Sequence, residues 1–126
     1  KDAFIWAISS FDNFVFVGRS NAYFTLYQFD QNERKMKIVE IENQEKLLSN
    51  SILEAKMNKD YLAVSGRDHD LKIYSKKSKN PQDWFKEEKN LSSKFELPVS
   101  GLDLNPQGLV GAGSFIDSKY IYDLKN

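Results

Sequence analysis

The single histidine of the chain stands between two carboxylates, in Asp68-His69-Asp70. An imidazole flanked by acids can serve as a general base or ligate a metal. Adjacent residues in a tight turn point apart, however, and the chain has neither a second histidine nor a cysteine to complete a metal set. His69 is therefore read as a contact residue on an exposed loop. Ser9-Ser10 and Ser92-Ser93 have no base at any related position, which leaves no route to an activated nucleophile. Gly111-Ala112-Gly113-Ser114 has the composition of a phosphate-binding loop but lacks the lysine and the helix start that such a loop needs, so it reads as strand. No catalytic, cofactor-binding or metal-binding residue is assigned. The chain is read as non-enzymatic, with no cofactor.

What must position these residues is a repeat. Ile5, Ile52 and Val99 are each 47 residues apart, as are Ile8, Ala55 and Leu102, and Val15, Leu62 and Leu109. Tyr27 and Tyr74 keep the interval, and Tyr122 falls one residue late. The first two copies align without a gap. The third is expected to carry its extra residue near 114–118. Self-similarity at this period marks a solenoid, a propeller or an array.

Within each copy, three short apolar runs alternate with polar residues and are separated by turn residues, as in Asn105-Pro106-Gln107-Gly108. That pattern predicts an antiparallel meander. Middle strands are expected at 14–18, 61–65 and 109–113. Fourth strands are expected at 35–41 and, more weakly, at 84–91. The third copy is left with three, giving sheets of four, four and three strands. Small residues recur in the middle run (Gly18, Ser65, Gly66, Gly111, Gly113) and suit a crowded seam where backbones approach closely. A helix over 43–60 competes, but the match of 52–74 to the β-branched and aromatic first copy favours strand.

These residues resemble WD-repeat β-propeller blades. Leu62 to Tyr74 follows the run of a small Ser/Gly cluster, a turn aspartate and an apolar-x-apolar-aromatic strand, with Asp68 at the turn position. Asn105-Pro106-Gln107-Gly108 resembles the turn that opens a second strand in that family. The Gly-His pair before the first strand is missing, and with it the buried His–Asp–Ser network of strong members. The resemblance implies an all-β fold, a partial β-propeller of three consecutive antiparallel blades in a single domain over 1–126. Blade one spans about 4–42, blade two about 51–92, and blade three about 98–126, incomplete. Rings close with about four to eight blades, so the segment is read as part of a longer propeller. The alternative is a three-blade protomer completed by a second copy. First strands would line a channel, where only Glu54 and Asp103 carry carboxylates, at non-equivalent positions.

The resemblance further implies a scaffold for protein–protein contact, a subunit of a multiprotein assembly. Its partners would be other proteins and the remaining blades of the same or another chain. Loops at 19–21, 67–70 and 115–118, with 46–51 and 95–98, would share one face. Candidate partner-binding residues are Arg19, Asn21, Arg67, His69, Asp70 and Asp117. The alternative is an RNA- or RNP-associated propeller. Equal numbers of basic and acidic residues, 18 each, give a formal net charge of +0 and no global field for nucleic acid. Lys76-Lys77-Ser78-Lys79 reads as a solvated loop. Trp84 and Phe85, two large aromatics among charges, read as packing between blades or as an interface anchor. The absence of cysteine fits a reducing compartment. No run of roughly 18 apolar residues suggests a membrane span. The expected location is intracellular, cytoplasmic or nuclear. Apolar side chains should be exposed at both ends of the stack, Trp6, Phe14 and Phe16 at one and Tyr120 and Tyr122 at the other.

Overall fold

Alternating side chains and turn residues at the expected spacings produce strands throughout. The computed structural model describes residues 3–86, 88–114 and 119–125. The first sheet is a meander of β1 (Ile5–Phe11), β2 (Phe14–Arg19), β3 (Phe24–Asp30) and β4 (Lys35–Ile38). The second contains β5 (Ile52–Met57), β6 (Tyr61–Gly66), β7 (Leu71–Ser75) and β8 (Glu88–Asn90). The third contains β9 (Val99–Leu104), β10 (Leu109–Ser114) and β11 (Lys119–Asp123). All neighbours pair antiparallel, and no sheet closes on itself. The protein is therefore all-β, with sheets of four, four and three strands, and the segment 52–57 is strand and not helix. Among the described residues no helix is long and apolar enough to cross a membrane.

The sheets stack face to face. One core cluster joins Phe16, Phe24 and Leu26 of the first sheet to Ile52, Leu62, Val64 and Tyr74 of the second. Another joins Ala63, Leu71 and Ile73 on the second sheet's opposite face to Val99, Leu102, Leu104 and Val110 of the third. The second sheet is thus covered on both sides. The first strands β1, β5 and β9 lie side by side, and the later strands spread apart. Each linker drops apolar residues into the resulting wedge, Leu47 and Leu48 before β5, Leu91 and Phe95 before β9.

Glycine sets the closest approaches. A Cβ on Gly18 would lie 2.7 Å from Ile52 Cγ2, and one on Gly66 would lie 2.6 Å from Leu48 Cδ1 and 2.7 Å from the Ser51 carbonyl. Gly108 meets a different demand, since it closes the β9–β10 turn at φ +98°.

The extra residue of the third copy sits earlier than expected. Val15 pairs with Tyr27, Leu62 with Tyr74, and Val110 with Tyr122. Upstream, Ile8 pairs with Val17, Ala55 with Val64, and Leu102 with Ala112. The spacing therefore lengthens to 48 within the turn between β9 and β10, not at 114–118. A one-residue slip turns every following side chain to the opposite face of its strand. Val110 is buried, whereas Leu109 and Ile121, both expected inside, are 42% and 74% exposed. Val15 is only half-buried because its face of the first sheet is uncovered. Val17, Leu26, Leu62, Val64, Ile73 and Leu102 are buried as the repeat predicts.

The ends of the stack are likewise corrected. Trp6 is exposed, but Phe16 is fully buried and Phe14, Tyr120 and Tyr122 are partly buried against the cores. The exposed apolar residues are instead those of opposite parity, among them Ile8, Ile38, Leu109 and Ile121.

Two further expectations change. The segment 81–86 forms a 3-10 helix (Pro81–Lys86), so the fourth strand of the second sheet shrinks to three residues. Its two aromatics turn inward: Trp84 meets Phe14 at 4.7 Å between ring centroids, and Phe85 meets Phe24 at 4.4 Å. Lys76, expected in a solvated loop, is buried beneath them. Its ammonium lies 5.0 Å from the Phe11 ring and 5.3 Å from the Trp84 ring, and donates to the Asn58 carbonyl at 2.5 Å.

Two predictions follow from this packing. Gly66→Ala should destabilise the fold by about 1–3 kcal/mol, because the Ser51 backbone cannot withdraw from the new methyl group. Leu62→Ala, at a fully buried site, should cost about 2–5 kcal/mol. Urea unfolding midpoints measure both, and a change below about 0.5 kcal/mol in either would disprove the assigned packing.

Burial lowers the Lys76 ammonium from the ordinary 10.5 to about 8, against the opposing pull of Asp12 and Asp60. Below that pH, Lys76 is protonated in folded and unfolded chains alike and contributes no slope. Between about 8 and 10.5 the unfolded chain binds the extra proton, so stability should rise with pH. Burial next to Glu88 opposes ionisation of Tyr74, which reverses the slope above the ordinary tyrosine value of 10.0. The rise from pH 8 should vanish in Lys76→Met; a variant that retains the wild-type profile would show that Lys76 is solvated.

Candidate functional site

The segment 43–51 crosses between the β2–β3 and β6–β7 turns and is bonded to both. Leu47 N donates to the Ala22 carbonyl at 3.0 Å, and Gln44 Oε1 accepts from Phe24 N at 3.2 Å. Ser51 Oγ donates to the Ser20 carbonyl at 2.6 Å, while its own carbonyl accepts from Arg67 N at 3.1 Å. These bonds bring the two turns onto one side of the stack.

Arg19 ends β2 and is half-buried. Asn21 accepts from Tyr23 N at 3.1 Å, forming an Asx turn that supports Ala22 at φ 73°. Arg67 and His69 are exposed. His69 has φ 60°, a left-handed conformation in which histidine is among the better-tolerated residues, and its Nδ1 lies 3.4 Å from the Ser92 carbonyl. Asp70 differs from its turn neighbours. It is buried, and its Oδ2 accepts from Ser49 N at 3.0 Å and from Ser49 Oγ at 2.7 Å. Its carboxylate is directed at the linker and not at solvent. Asp117 lies outside the described residues. Arg67, Asp68 and His69 are thus the solvent-facing members of one turn, next to Asn50, which donates to Asp68 Oδ1 at 3.4 Å.

Below this latch, the wedge between the first two sheets is only partly filled. It leaves an open cleft of ≈ 810 Å³. Phe24, Tyr74 and Phe85 form its aromatic floor; Tyr74 and Phe85 are 5.3 Å apart between ring centroids. Glu40, Glu42, Glu45, Asp83 and Glu88 contribute carboxylates to its lining, and Lys46, Lys72 and Lys86 contribute ammonium groups. Lys72 is held by Glu88 at 3.5 Å and by the Leu47 carbonyl at 3.1 Å. Lys86 pairs with Asp83 at 2.9 Å, which raises its affinity for the proton. Among the described residues, Glu40, Glu42 and Glu45 form no salt bridge, and neither does Lys46. Among the described residues, three carboxylates outside any salt bridge, of which Glu42 also acts on Lys86 at longer range, face one such ammonium, an acidic rim on a chain of zero formal net charge.

The repeat does not announce this cleft, because its rim comes from one linker and a 3-10 helix that fall between the repeating strands, and only its floor comes from β3 and β7. The usable signals were the acidic run Glu40, Glu42, Glu45 and the Trp84-Phe85 pair among charged neighbours. Glu54 and Asp103 do not converge. Glu54 pairs with Ser65 on the face toward the third sheet, whereas Asp103 pairs with Gly111 on that sheet's far face. No three His, Cys, Asp or Glu side chains among the described residues are grouped to hold a metal ion.

No protein-family model matches the chain, and no curated protein matches it. Among solved structures, it is similar to the computationally designed Ika4 protein, with a TM-score of 0.54 and 12% identity over 98% of this chain and 92% of that one. At this identity the likeness bears on the fold alone, a stack of antiparallel sheets.

Asp70→Ala should remove both bonds to Ser49 and loosen segment 43–51, at a cost of about 1.5–3 kcal/mol for bonds to a charged acceptor. Amide hydrogen exchange should quicken at Ser49 and Leu47 before it does in β6. Unchanged protection at Ser49 would show that the carboxylate does not hold the linker.

Proposed function

We propose that this chain is a WD-repeat-like propeller segment that acts as a non-enzymatic protein-contact module. In this reading the cleft between its first two sheets receives an extended, cationic segment of a partner protein. The observation that carries the reading is the pairing of an aromatic floor with an acidic rim. Phe85 and Ile41, both half-buried over the covered rings of Phe24 and Tyr74, offer apolar area to an aliphatic side chain, while Glu40, Glu42 and Glu45 attract lysine or arginine beside it. A propeller arrangement is favoured by the adjacent first strands, the meander order of each sheet and the linker-filled wedges. The Asp70–Ser49 bond favours it too: a buried turn carboxylate fastens the linker to the blade, two residues beyond the Asp68 that the repeat aligns with the family's turn aspartate. Nucleic acid is the weaker alternative, since an acidic rim repels phosphate.

The test is fluorescence anisotropy with a labelled ten-residue peptide of alternating lysine and leucine, beside its glutamate-for-lysine counterpart. The lysine peptide should bind, and its affinity should fall as salt rises. Glu40→Gln with Glu45→Gln should weaken it about 3–10-fold, as expected for removal of two exposed charges. Equal binding of the glutamate peptide, or an unaffected double variant, would refute the assignment of this cleft.

A further inference from the structure

Both internal junctions join the same two kinds of face. In the second sheet, Ala55, Leu62, Val64 and Tyr74 share the face that packs on the first sheet, and Ala63, Leu71 and Ile73 share the face that packs on the third. The repeat carries these identities outward. The first sheet's residues equivalent to the leading face are Ile8, Val15, Val17 and Tyr27, which the register places on one face with Ile38; Ile8 and Ile38 are exposed there, Val15 and Tyr27 half-buried, and Val17 buried among them. The third sheet's trailing face holds Gly101, Leu109, Gly111, Gly113 and Ile121, with Asp103, Lys119 and Asp123 in register beside them, and its Leu109 and Ile121 are exposed. One end of the stack therefore displays the kind of face that the other end lacks.

The two free faces are complementary in detail. The leading face is bulky, with Ile8 65% and Ile38 56% exposed. The trailing face is low along its glycines, where a Cβ added at Gly111 would meet nothing within 4 Å, and rises at Ile121, which is 74% exposed. Inside the chain, Ile52 seats on Gly18. The repeat equivalent of Ile52 is Ile5, exposed at the leading end, and that of Gly18 is Gly113, on the trailing face. Asp103 does not disqualify this face. Its equivalent Lys56, together with Glu54, lies half-buried within the second junction.

We propose that a second copy of this chain stacks on the first head to tail. The leading face of each copy seats on the trailing face of the other, so that two copies bring six sheets into one closed ring. Contacts between unlike faces either close into rings or extend as filaments, and two internal junctions of one kind supply the geometry for a third. The inference stands apart from the peptide cleft, which lies within one copy.

Sedimentation equilibrium of the 126-residue protein at tens of micromolar should give twice the mass of the single chain. Ile8→Glu and Ile121→Lys, both at exposed positions, should each be monomeric with unchanged circular dichroism. Mixed in equal amounts, they should recover a dimer, because each supplies the face that the other has lost. With no cysteine in the chain, the double variant Ile5→Cys, Gly113→Cys should oxidise to a covalent dimer. A monomer at every concentration would overturn the proposal. So would a dimer disrupted by Ile8→Glu but not by Ile121→Lys, which would mean that like faces pair. Masses that grow beyond two chains would overturn the closed ring.

Discussion

The architecture turns on one steric contact, the seating of Ile52 against a glycine that leaves no space for a Cβ. It lets β5 approach β2 closely and brings the first strands of successive sheets side by side. Twisted sheets held together along one edge diverge toward the other, because the twist rotates later strands away from the contact. The wedge that opens is then a necessary consequence of the close seam. Leu47, Leu48, Leu91 and Phe95 fill much of it from the linkers, and Trp84 and Phe85 fill more from the 3-10 helix. The cleft is the part of the first wedge that they leave open.

Most of the strands were legible because alternation and turn residues act locally. The three middle strands begin where the spacing places them, at Phe14, Tyr61 and Leu109. What the spacing could not settle was on which side of β10 the extra residue lay. Tyr122 reported the slip, but a late tyrosine is equally consistent with an insertion before or after β10. The two placements give opposite faces to Leu109 and Val110, so a displacement of a few residues in one turn inverted the expected core of that strand. Lys76 departs from the sequence expectation for a related reason. In sequence it opens a lysine-rich loop, and only the tertiary approach of Phe11 and Trp84 shows it to be covered.

The candidate residues were legible as loops but not as individual orientations. Arg67, His69 and Asp70 occupy one turn, yet backbone geometry sends the first two outward and folds the third onto Ser49. A carboxylate with two donors in reach contributes more by fastening a linker than by waiting for a partner, since bonds to charged groups are among the stronger ones. The cleft is not legible in the repeat because its rim does not repeat. The linkers differ in composition from one sheet to the next, so any site built from them is unique to its junction.

The position occupied by Gly18, Ser65 and Gly113 in the three sheets shows which requirement dominates at the seam. Ser65 is fully buried, and among the described residues its hydroxyl has no hydrogen-bond partner. An unpaired buried hydroxyl costs about 1–3 kcal/mol. A larger side chain that could reach a partner would force the sheets apart, and the apolar contacts on both sides of the second sheet would open with them. Those contacts join several side chains at each junction, so their loss would exceed the cost of one unsatisfied oxygen. Size at this position is therefore constrained more tightly than polarity. The same inequality accounts for Gly18, where β2 gives up β-propensity so that Ile52 of the next first strand can approach.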